Sequence, residues 1–543
     1  MKKSKILLLV IGSLFALVLV TMLLLHAFLP GIFSEKIEEK IRTALSPESI
    51  DLYEVNAGTS SFSTLFQTTI ISSIRIIPKA IAFSEKDAGL LPNQIFETEV
   101  HNLSISSVTL ISLALGRKNV KVNRFSTDSI FLVVYTNEAG KKESNSAQSN
   151  KMEQLSLKNI CTGKLRIEQQ SVADTSRQVL QTGAVDFGAV INFYDEGQNY
   201  FLNPGITELS LRILDATTFS STGLYSFRID SISFDGNGQT TELTGLKVIP
   251  RYSKQEFYKH LQFQTDRFDI GINHIKISGF KPDEFIQDGA IVISEIEMNG
   301  GNVEVFRDRK APFNEQQRPV MPVSLIQNAD FGLFAGKILF NDFDIVYAEL
   351  PADSDSEGKI PFEQLSAVIS NISNLKDSLA SDSSMTIHAE ALIFGESTLS
   401  AEFKYSLTDS TGTYEAKGRL AALAFKVINT AVYPLTGVKI KAGMHQNSSF
   451  HFYGNDVRSV GELRLKYSDL EVELIPDGRK VFQGIVGFAG RKALYHPSNP
   501  GKNDELRIGR IEFERDVSRF VFNYWWKSYL SGIKNSVLRD LVK

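Results

Sequence analysis

The stretch Glu462–Ile475, ELRLKYSDLEVELI, restricts the fold more than any other feature of the chain. Leu463, Leu465 and Tyr467 alternate with polar residues, and so do Leu470, Val472 and Leu474. Strand side chains alternate between faces, so each half of the stretch has one wet side and one apolar side. Two arrangements put all six apolar residues on the same side. A two-residue turn at Ser468-Asp469 pairs Tyr467 with Leu470, Leu465 with Val472 and Leu463 with Leu474. It also sets Lys466 against Glu471 and Arg464 against Glu473. Neither turn residue is the glycine such hairpins favour, and a bulged continuous strand is the alternative; one extra residue keeps the apolar side intact. KILFNDFDIVY, Lys337–Tyr347, repeats the pattern around Asn341-Asp342. In its hairpin form Phe340 faces Phe343 and Ile338 faces Ile345.

Short alternating runs of this kind, separated by polar turn clusters, continue from about residue 50 through most of the 543 residues. No long helical pattern intervenes before the end of the chain, which argues against βαβ units and a parallel doubly wound sheet. The fold expected is mainly β: a long curled antiparallel β-groove of repeated modules, with an N-terminal transmembrane helix and a C-terminal amphipathic helix. The polar stretches Gly140–Gln154, Arg307–Gln317 and Asp353–Gly358 read as loops. An internal echo sets the modules. SIRIIP at Ser73–Pro78 matches GLKVIP at Gly245–Pro250, 172 residues on (246 less 74). Val120, Val122, Phe125, Leu132, Val134 and Tyr135 fall on Ile291, Ile293, Ile296, Val303, Val305 and Phe306 at an offset of 171, and Thr162–Ile167 falls on Ala335–Phe340 at 173. Three matches in order read as two copies of one β-module, with a divergent third stretch.

The two ends differ from this body. Lys2, Lys3 and Lys5 precede Ile6–Leu25, twenty residues without a charge. As a helix that run is about 30 Å long, enough to cross a bilayer core. The basic flank places the N-terminus in the cytoplasm. A cleaved signal peptide is the rival, but the run is long for one and no A-x-A site follows. Ile37, Ile41 and Leu45 then recur at helical spacing, as in a packing helix that caps the first strands or a collar on the membrane surface. At the other end, RDVSRFVFNYWWKSYLSGIKNSVLRDLVK reads as a helix with Trp526, Tyr529, Leu530, Ile533, Val537 and Leu541 in one stripe. Trp525, Trp526, Tyr529, Leu530 and Ile533 are candidates to touch a membrane or a receiving protein; a helix plugging the open end of the β-core is the competing role. The organisation expected is a tail and anchor at 1–30, a first module with its leading helix at 31–220, a second at 221–380, a C-terminal β-region at 381–515, and the amphipathic helix at 516–543.

The residues offer little chemistry. Charge is nearly balanced, 58 basic against 62 acidic residues, so nucleic acid is not expected as a partner. Cys161 is the only cysteine, and the eight histidines form no H-E-x-x-H pair. There is no G-x-S-x-G elbow and no Walker lysine. DSDSEGKIPFEQ, Asp353–Gln364, places Asp353, Asp355, Glu357, Gly358 and Ile360 as in a calcium loop, but position twelve is Gln364 and flanking helices are missing. We therefore expect no catalytic residue, no metal and no cofactor.

An antiparallel sheet with one apolar face must cover that face, by a second sheet or by a ligand. Several stretches carry a resemblance here: the anchor Ile6–Leu25, the strand pattern Val100–Tyr135, and Gly437–Leu474 with Gly443 and Gly461 at expected turns or bulges. PRYSKQEF (Pro250–Phe257) and FRDRKAP (Phe306–Pro312) add to it. In layout the chain resembles the AsmA-like family, relatives of TamB and of bridge-like lipid transfer proteins built from repeating β-groove modules. The resemblance implies a single-pass inner-membrane protein whose bulk lies in the periplasm and which carries phospholipid acyl chains between envelope membranes. It also permits a role in assembling outer-membrane β-barrel proteins. An envelope scaffold of closed sandwiches is a third possibility. For a groove, the lining expected is Ile291, Ile293, Val303, Val305, Ile338, Phe340, Phe343, Ile345, Leu463, Leu465, Val472 and Leu474. Transfer along such a wall is passive, with no enzyme chemistry.

Overall fold

The computed structural model describes residues 52–63, 68–83, 94–106, 119–122, 125–136, 154–171, 177–192, 205–236, 238–281, 284–285, 289–474 and 495–539. The anchor Ile6–Leu25 and the leading helix around Ile37 lie outside them. Among the described residues, no helix is long and apolar enough to cross a membrane. The chain is mainly β and divides into two compact units at Gly245/Leu246.

The first unit runs through β1 (Tyr53–Ala57), β2 (Ser60–Ser63), β3 (Thr68–Pro78), β4 (Gln94–Ser106), β5 (Asn119–Val122), β6 (Phe125–Thr136), β7 (Gln154–Ser171), β8 (Arg177–Thr182), β9 (Val185–Asn192), β10 (Gly205–Phe219) and β11 (Tyr225–Asp235). The unit boundary falls within β12 (Thr240–Pro250). β3 pairs with β4 and β4 with β6, both antiparallel. β5 and β6 both run parallel to β7. β7 then pairs antiparallel with β8 and β9, both of which pair with β10.

The second unit contains β13 (Arg267–Ser278), β14 (Ile291–Asp308), β15 (Leu333–Leu350), β16 (Gly358–Ser373), β17 (Ser384–Ile393), β18 (Ser397–Ser406), β19 (Tyr414–Leu420), β20 (Leu423–Ala424), β21 (Val438–Gly454), β22 (Arg458–Leu474) and β23 (Ile508–Glu514). Its helices include α1 (Pro322–Gln327), α2 (Asn429–Thr436) and α3 (Val521–Val537). β13–β14 is antiparallel, β14–β15 parallel, and β15 to β19 a run of antiparallel neighbours, after which β21, β22 and β23 follow in turn.

The expectation of a wholly antiparallel sheet is therefore corrected: both units hold a parallel step. Parallel neighbours need a crossover of a dozen or more residues, whereas hairpins need only a few. The two long polar stretches read as loops, around 140–154 and 307–317, fall on those crossovers, from β6 to β7 and from β14 to β15. The shorter Asp353–Gly358 stretch joins the antiparallel pair β15–β16.

The sequence echo has a counterpart in the ladders. β3 and β12 are both eleven residues long, begin 172 residues apart (240 less 68) and end on proline. Ile105 pairs with Phe125, and Phe125 lies parallel to Ile160; Ile277 pairs with Ile296, and Ile296 lies parallel to Ile338. The offsets across these trios are 172, 171 and 178. The third sequence match, at 173, is thus five residues out of register. That match was a likeness of alternating strands and not of position.

Neither proposed hairpin forms. β15 and β22 are continuous strands, each broken in alternation by one left-handed aspartate, Asp342 (φ 59°) and Asp469 (φ 55°). Leu463 is paired with Phe450, Leu465 with Ser448, Tyr467 with His445 and Val472 with Ile440. On the wet face Arg464 meets Glu462 (3.1 Å) and Glu473 meets Lys441 (2.9 Å), in place of the expected Arg464–Glu473 and Lys466–Glu471 pairs. The Lys441 ammonium holds the Glu473 carboxyl below its ordinary range.

Candidate functional site

Within each unit, extra residues recur at one level across neighbouring strands. In the first unit Asn102 (φ 51°) donates from Nδ2 to Asp128 Oδ2 (2.6 Å), and the β6–β7 register sets Asp128 level with Gly163. On β4 the buried residues Thr98 and Val100 give way to Leu103 and Ile105; on β6, Phe125 and Thr127 give way to Ile130 and Leu132; on β7, Ile160 and Thr162 give way to Leu165 and Ile167. Each strand changes from even to odd numbers, or the reverse, at the same line. Asp215 (φ 51°) on β10 does the same between Ile213 and Ala216. In the second unit the corresponding line passes through Gly300 (φ 67°), Asp342 and Gln364 (φ 52°). The backbone amide of Gln364 is held by Asp344 Oδ1 at 3.0 Å.

The physical reason is local. A left-handed residue costs least as Gly, Asn or Asp, and inserting it shifts the alternation by one. Both halves of the strand then keep their apolar residues on one side, and the strand bends where the residue is inserted. Bulges aligned across neighbouring strands bend the sheet along a crease, which is how a flat ladder is curled. Gly301, beside the crease, also makes room: a Cβ there would sit 2.1 Å from the Phe343 ring, so Phe343 lies over it and is 2% exposed.

On the apolar side of the second unit the ladders join into continuous rows. One runs Ile277, Ile296, Ile338, Ile369, Ile387, Phe403, Ala416, Phe452, each residue the register partner of the next. A second runs Ile275, Met298, Phe340, Ala367, Ala389, Ala401, Gly418, Phe450, Leu463. Beyond the crease, Ile270, Val303, Ile345 and Phe362 form a third. Over β14 and β15 these residues are half-buried, Phe343 apart. In the second row, four strands in succession carry only Ala or Gly between Phe340 and Phe450, leaving a dip in the floor. A cavity of about 770 Å³ opens over these strands, but its lining includes His388, Glu402, Lys417, His451, Glu462 and Arg464, whose rows alternate with the Ala and Gly row, so the cavity belongs to the wet face.

Helix α3 covers the other end of the rows. Its buried spine is Tyr524, Ser528, Gly532 and Ser536, spaced by four. Small residues let it sit close: a Cβ on Gly509 of β23 would lie 2.1 Å from the Gly532 carbonyl oxygen. Trp525 packs on Phe403 (ring centroids 4.3 Å apart), Tyr529 on Phe450 (5.4 Å) and Tyr524 on Tyr414 (6.1 Å). Met321 and Val323, at the start of α1, are buried in the same cluster, with Leu463 and Leu465.

The residues expected to line a groove thus divide. Ile291, Ile293, Val303, Val305, Ile338, Phe340 and Ile345 are half-buried on β14 and β15, whereas Leu463 and Leu465 are buried in the cluster that packs against α3. Val472 is half-buried on β22, and the backbone of Leu474 pairs with Val438. Of the terminal-helix candidates, Trp525, Tyr529 and Ile533 pack against this cluster; Trp526 is 43% exposed, with Phe522 (48%) near it on the helix. The pattern of bulk found part of the packed face, Tyr529, Ile533 and Val537, but the closest approach is made by small residues, because it selects for missing side chains. The i, i+4 run Ser528–Gly532–Ser536 was the available signal.

Where β14 and β15 end, charge collects. Arg307 Nε meets Asp266 Oδ1 at 2.7 Å, and Arg309 Nη1 meets Glu349 Oε1 at 3.1 Å. Tyr347 donates to Glu349 Oε2 at 2.8 Å, and burial beside that carboxylate raises its phenol. In the stretch that imitates a calcium loop, Asp355 pairs with Lys310 (3.0 Å) and Glu357 with Lys254 (3.2 Å). Among the described residues no group of three or more His, Cys, Asp or Glu is placed to hold a metal. In comparison with known proteins, no family model and no curated protein matches this chain.

Proposed function

We propose that this chain is a membrane-anchored lipid carrier, whose apolar trough in the second unit seats phospholipid acyl chains and passes them between envelope membranes. The observation that carries the reading is the set of unbroken apolar rows across β13–β17, half-buried and interrupted by no charge. Five strands span about 19 Å at ~4.8 Å per step. Each methylene moved from water onto such a wall contributes ~0.8 kcal/mol, so six contribute about 5 kcal/mol before ordering costs. Headgroups stay wet at the edges, and neither cofactor nor catalytic residue is required. The uncharged run Ile6–Leu25 supplies the anchor in this reading, the inner membrane is its location, and the periplasm holds the body.

The test is photocrosslinking in cells. A crosslinker at Ile296 or Ile338 is expected to capture phospholipid. One at Arg464, on the opposite face, is not. Equal labelling of the two faces, or capture of unfolded barrel proteins in place of lipid, overturns the reading.

A further inference from the structure

A chain of hydrogen bonds runs from α3 into the sheet through two buried side chains of β21. The Tyr529 hydroxyl meets Ser448 Oγ at 3.1 Å, Ser448 Oγ meets His445 Nε2 at 3.1 Å, and His445 Nδ1 meets the Ala421 carbonyl oxygen at 2.9 Å. His445 is 2% exposed and Ser448 3%. The chemistry of the groups fixes the place of every proton. A carbonyl only accepts, so Nδ1 carries the hydrogen of the neutral ring and Nε2 is left to accept. Ser448 therefore donates to Nε2, and Tyr529 donates to Ser448. Among the described residues Tyr529 has no second hydrogen-bond partner. A further proton on the ring reverses the order. Nε2 must then donate to Ser448, Ser448 to Tyr529, and the Tyr529 hydrogen is left with no acceptor. A buried donor without a partner and a buried charge without a counterion both work against the docked helix.

Nothing around His445 offsets such a charge. Phe425, from the 3-10 turn Phe425–Ile428, stands edge-on to the ring at 6.1 Å, and Tyr467 of β22 is its register partner. The titratable groups packed on it are phenols, Tyr467 and Tyr529, while Lys426 on the turn is exposed. Beyond Tyr467 lie His496, whose carbonyl accepts from the Tyr467 hydroxyl at 2.8 Å, and Arg507, which donates to the carbonyls of Ser498 and Ser536. Among the described residues no carboxylate pairs with His445, and burial lowers its imidazole from the ordinary histidine value against the pull of the Ala421 carbonyl. We infer that the Tyr529–Ser448–His445 chain is an acid-released clasp, which holds α3 on the sheet while the ring is neutral and frees the helix when the ring takes a proton. Release bares Phe450, on which Tyr529 packs at 5.4 Å, and Leu463, which Gly532 approaches closely. The clasp itself needs no lipid. On the reading above, its opening lengthens the uncovered floor of the second row.

With α3 undocked, His445 titrates near about 6.5, and with it docked, lower. Docking is therefore at full strength above about pH 6.5 and weakens as pH falls, by up to about tenfold per unit, until the docked ring is itself protonated. The test is hydrogen exchange of the full chain in mild detergent, read by mass spectrometry between about pH 7.5 and about pH 5.5 and corrected for intrinsic rates. That window lies above the ordinary carboxylate range, which leaves histidine as the side chain that titrates. Protection of α3 is expected to fall about tenfold across it while β14 and β15 keep theirs. His445→Gln is expected to abolish the fall, and His451→Gln and His496→Gln to preserve it. The same fall in His445→Gln, or its loss in His496→Gln, overturns the clasp. In the unaltered chain, a flat profile for α3 or an equal loss over β14 and β15 overturns it as well, whether or not the His445 variant folds.

Discussion

The two units share a ladder order of antiparallel, parallel and antiparallel steps, yet they dispose of the apolar side differently. In the first, the trio Ile105, Phe125 and Ile160 is 1–2% exposed, and the same side continues through Ile167, Val185 and Ala189 at 1–2%. In the second, the equivalent trio Ile277, Ile296 and Ile338 is half-buried, and the large buried cluster lies where α1 and α3 pack against the sheet. Alternation decides that a sheet has an apolar side. It does not decide what the side meets. One bulge grammar serves a fully buried face and a half-buried one, and the difference rests on what packs against it.

The largest expected effect tests this contrast directly. Phe125→Ala removes a fully buried ring and should cost about 3–5 kcal/mol. Ile338→Ala, at the equivalent level of the second unit's row, should cost only about 1 kcal/mol, since a side chain already half in water loses less on truncation. Urea unfolding of both variants checks this; equal costs would mean that the second trough is as closed as the first. Next comes Gly509→Val. Its methyls would push against the Gly532 carbonyl, and overpacking of this kind costs about 3 kcal/mol. Limited proteolysis should then cut at α3 while the first unit stays protected, and an unchanged digest would show that the helix does not depend on that close approach. The smallest effect concerns the crease. Asp342→Val should cost about 1–2 kcal/mol because a β-branched residue resists φ near 59°, whereas Asp342→Gly should stay within about 0.5 kcal/mol. Thermal melts of the pair separate left-handed strain from loss of the carboxylate; equal melting temperatures would remove the bulge from the account of curvature.

Much of the candidate site was legible beforehand. Ile338, Phe340, Phe343 and Ile345 could be placed on one side from alternation alone, because the hairpin and the bulged strand predict the same side. Which of the two forms could not be read. Asn-Asp and Ser-Asp suit a left-handed insertion as well as a turn, and only the neighbours, β14 and β16 for one and β21 for the other, hold the strand straight through. The parallel steps were hidden for a related reason: a strand's own pattern does not record the direction of its partner. The length of the polar stretches at 140–154 and 307–317 was the signal, since hairpins rarely need so many residues.

By itself, then, the sequence determined that this chain is built of strands with one apolar and one wet side, and roughly where the pattern repeats. Those properties follow from side-chain period and from transfer of apolar surface out of water, both of which act over a few residues. The tertiary structure alone decided strand direction, the crease and which row α3 covers. Each of these depends on which distant segments lie side by side, and a local pattern carries no record of its partner.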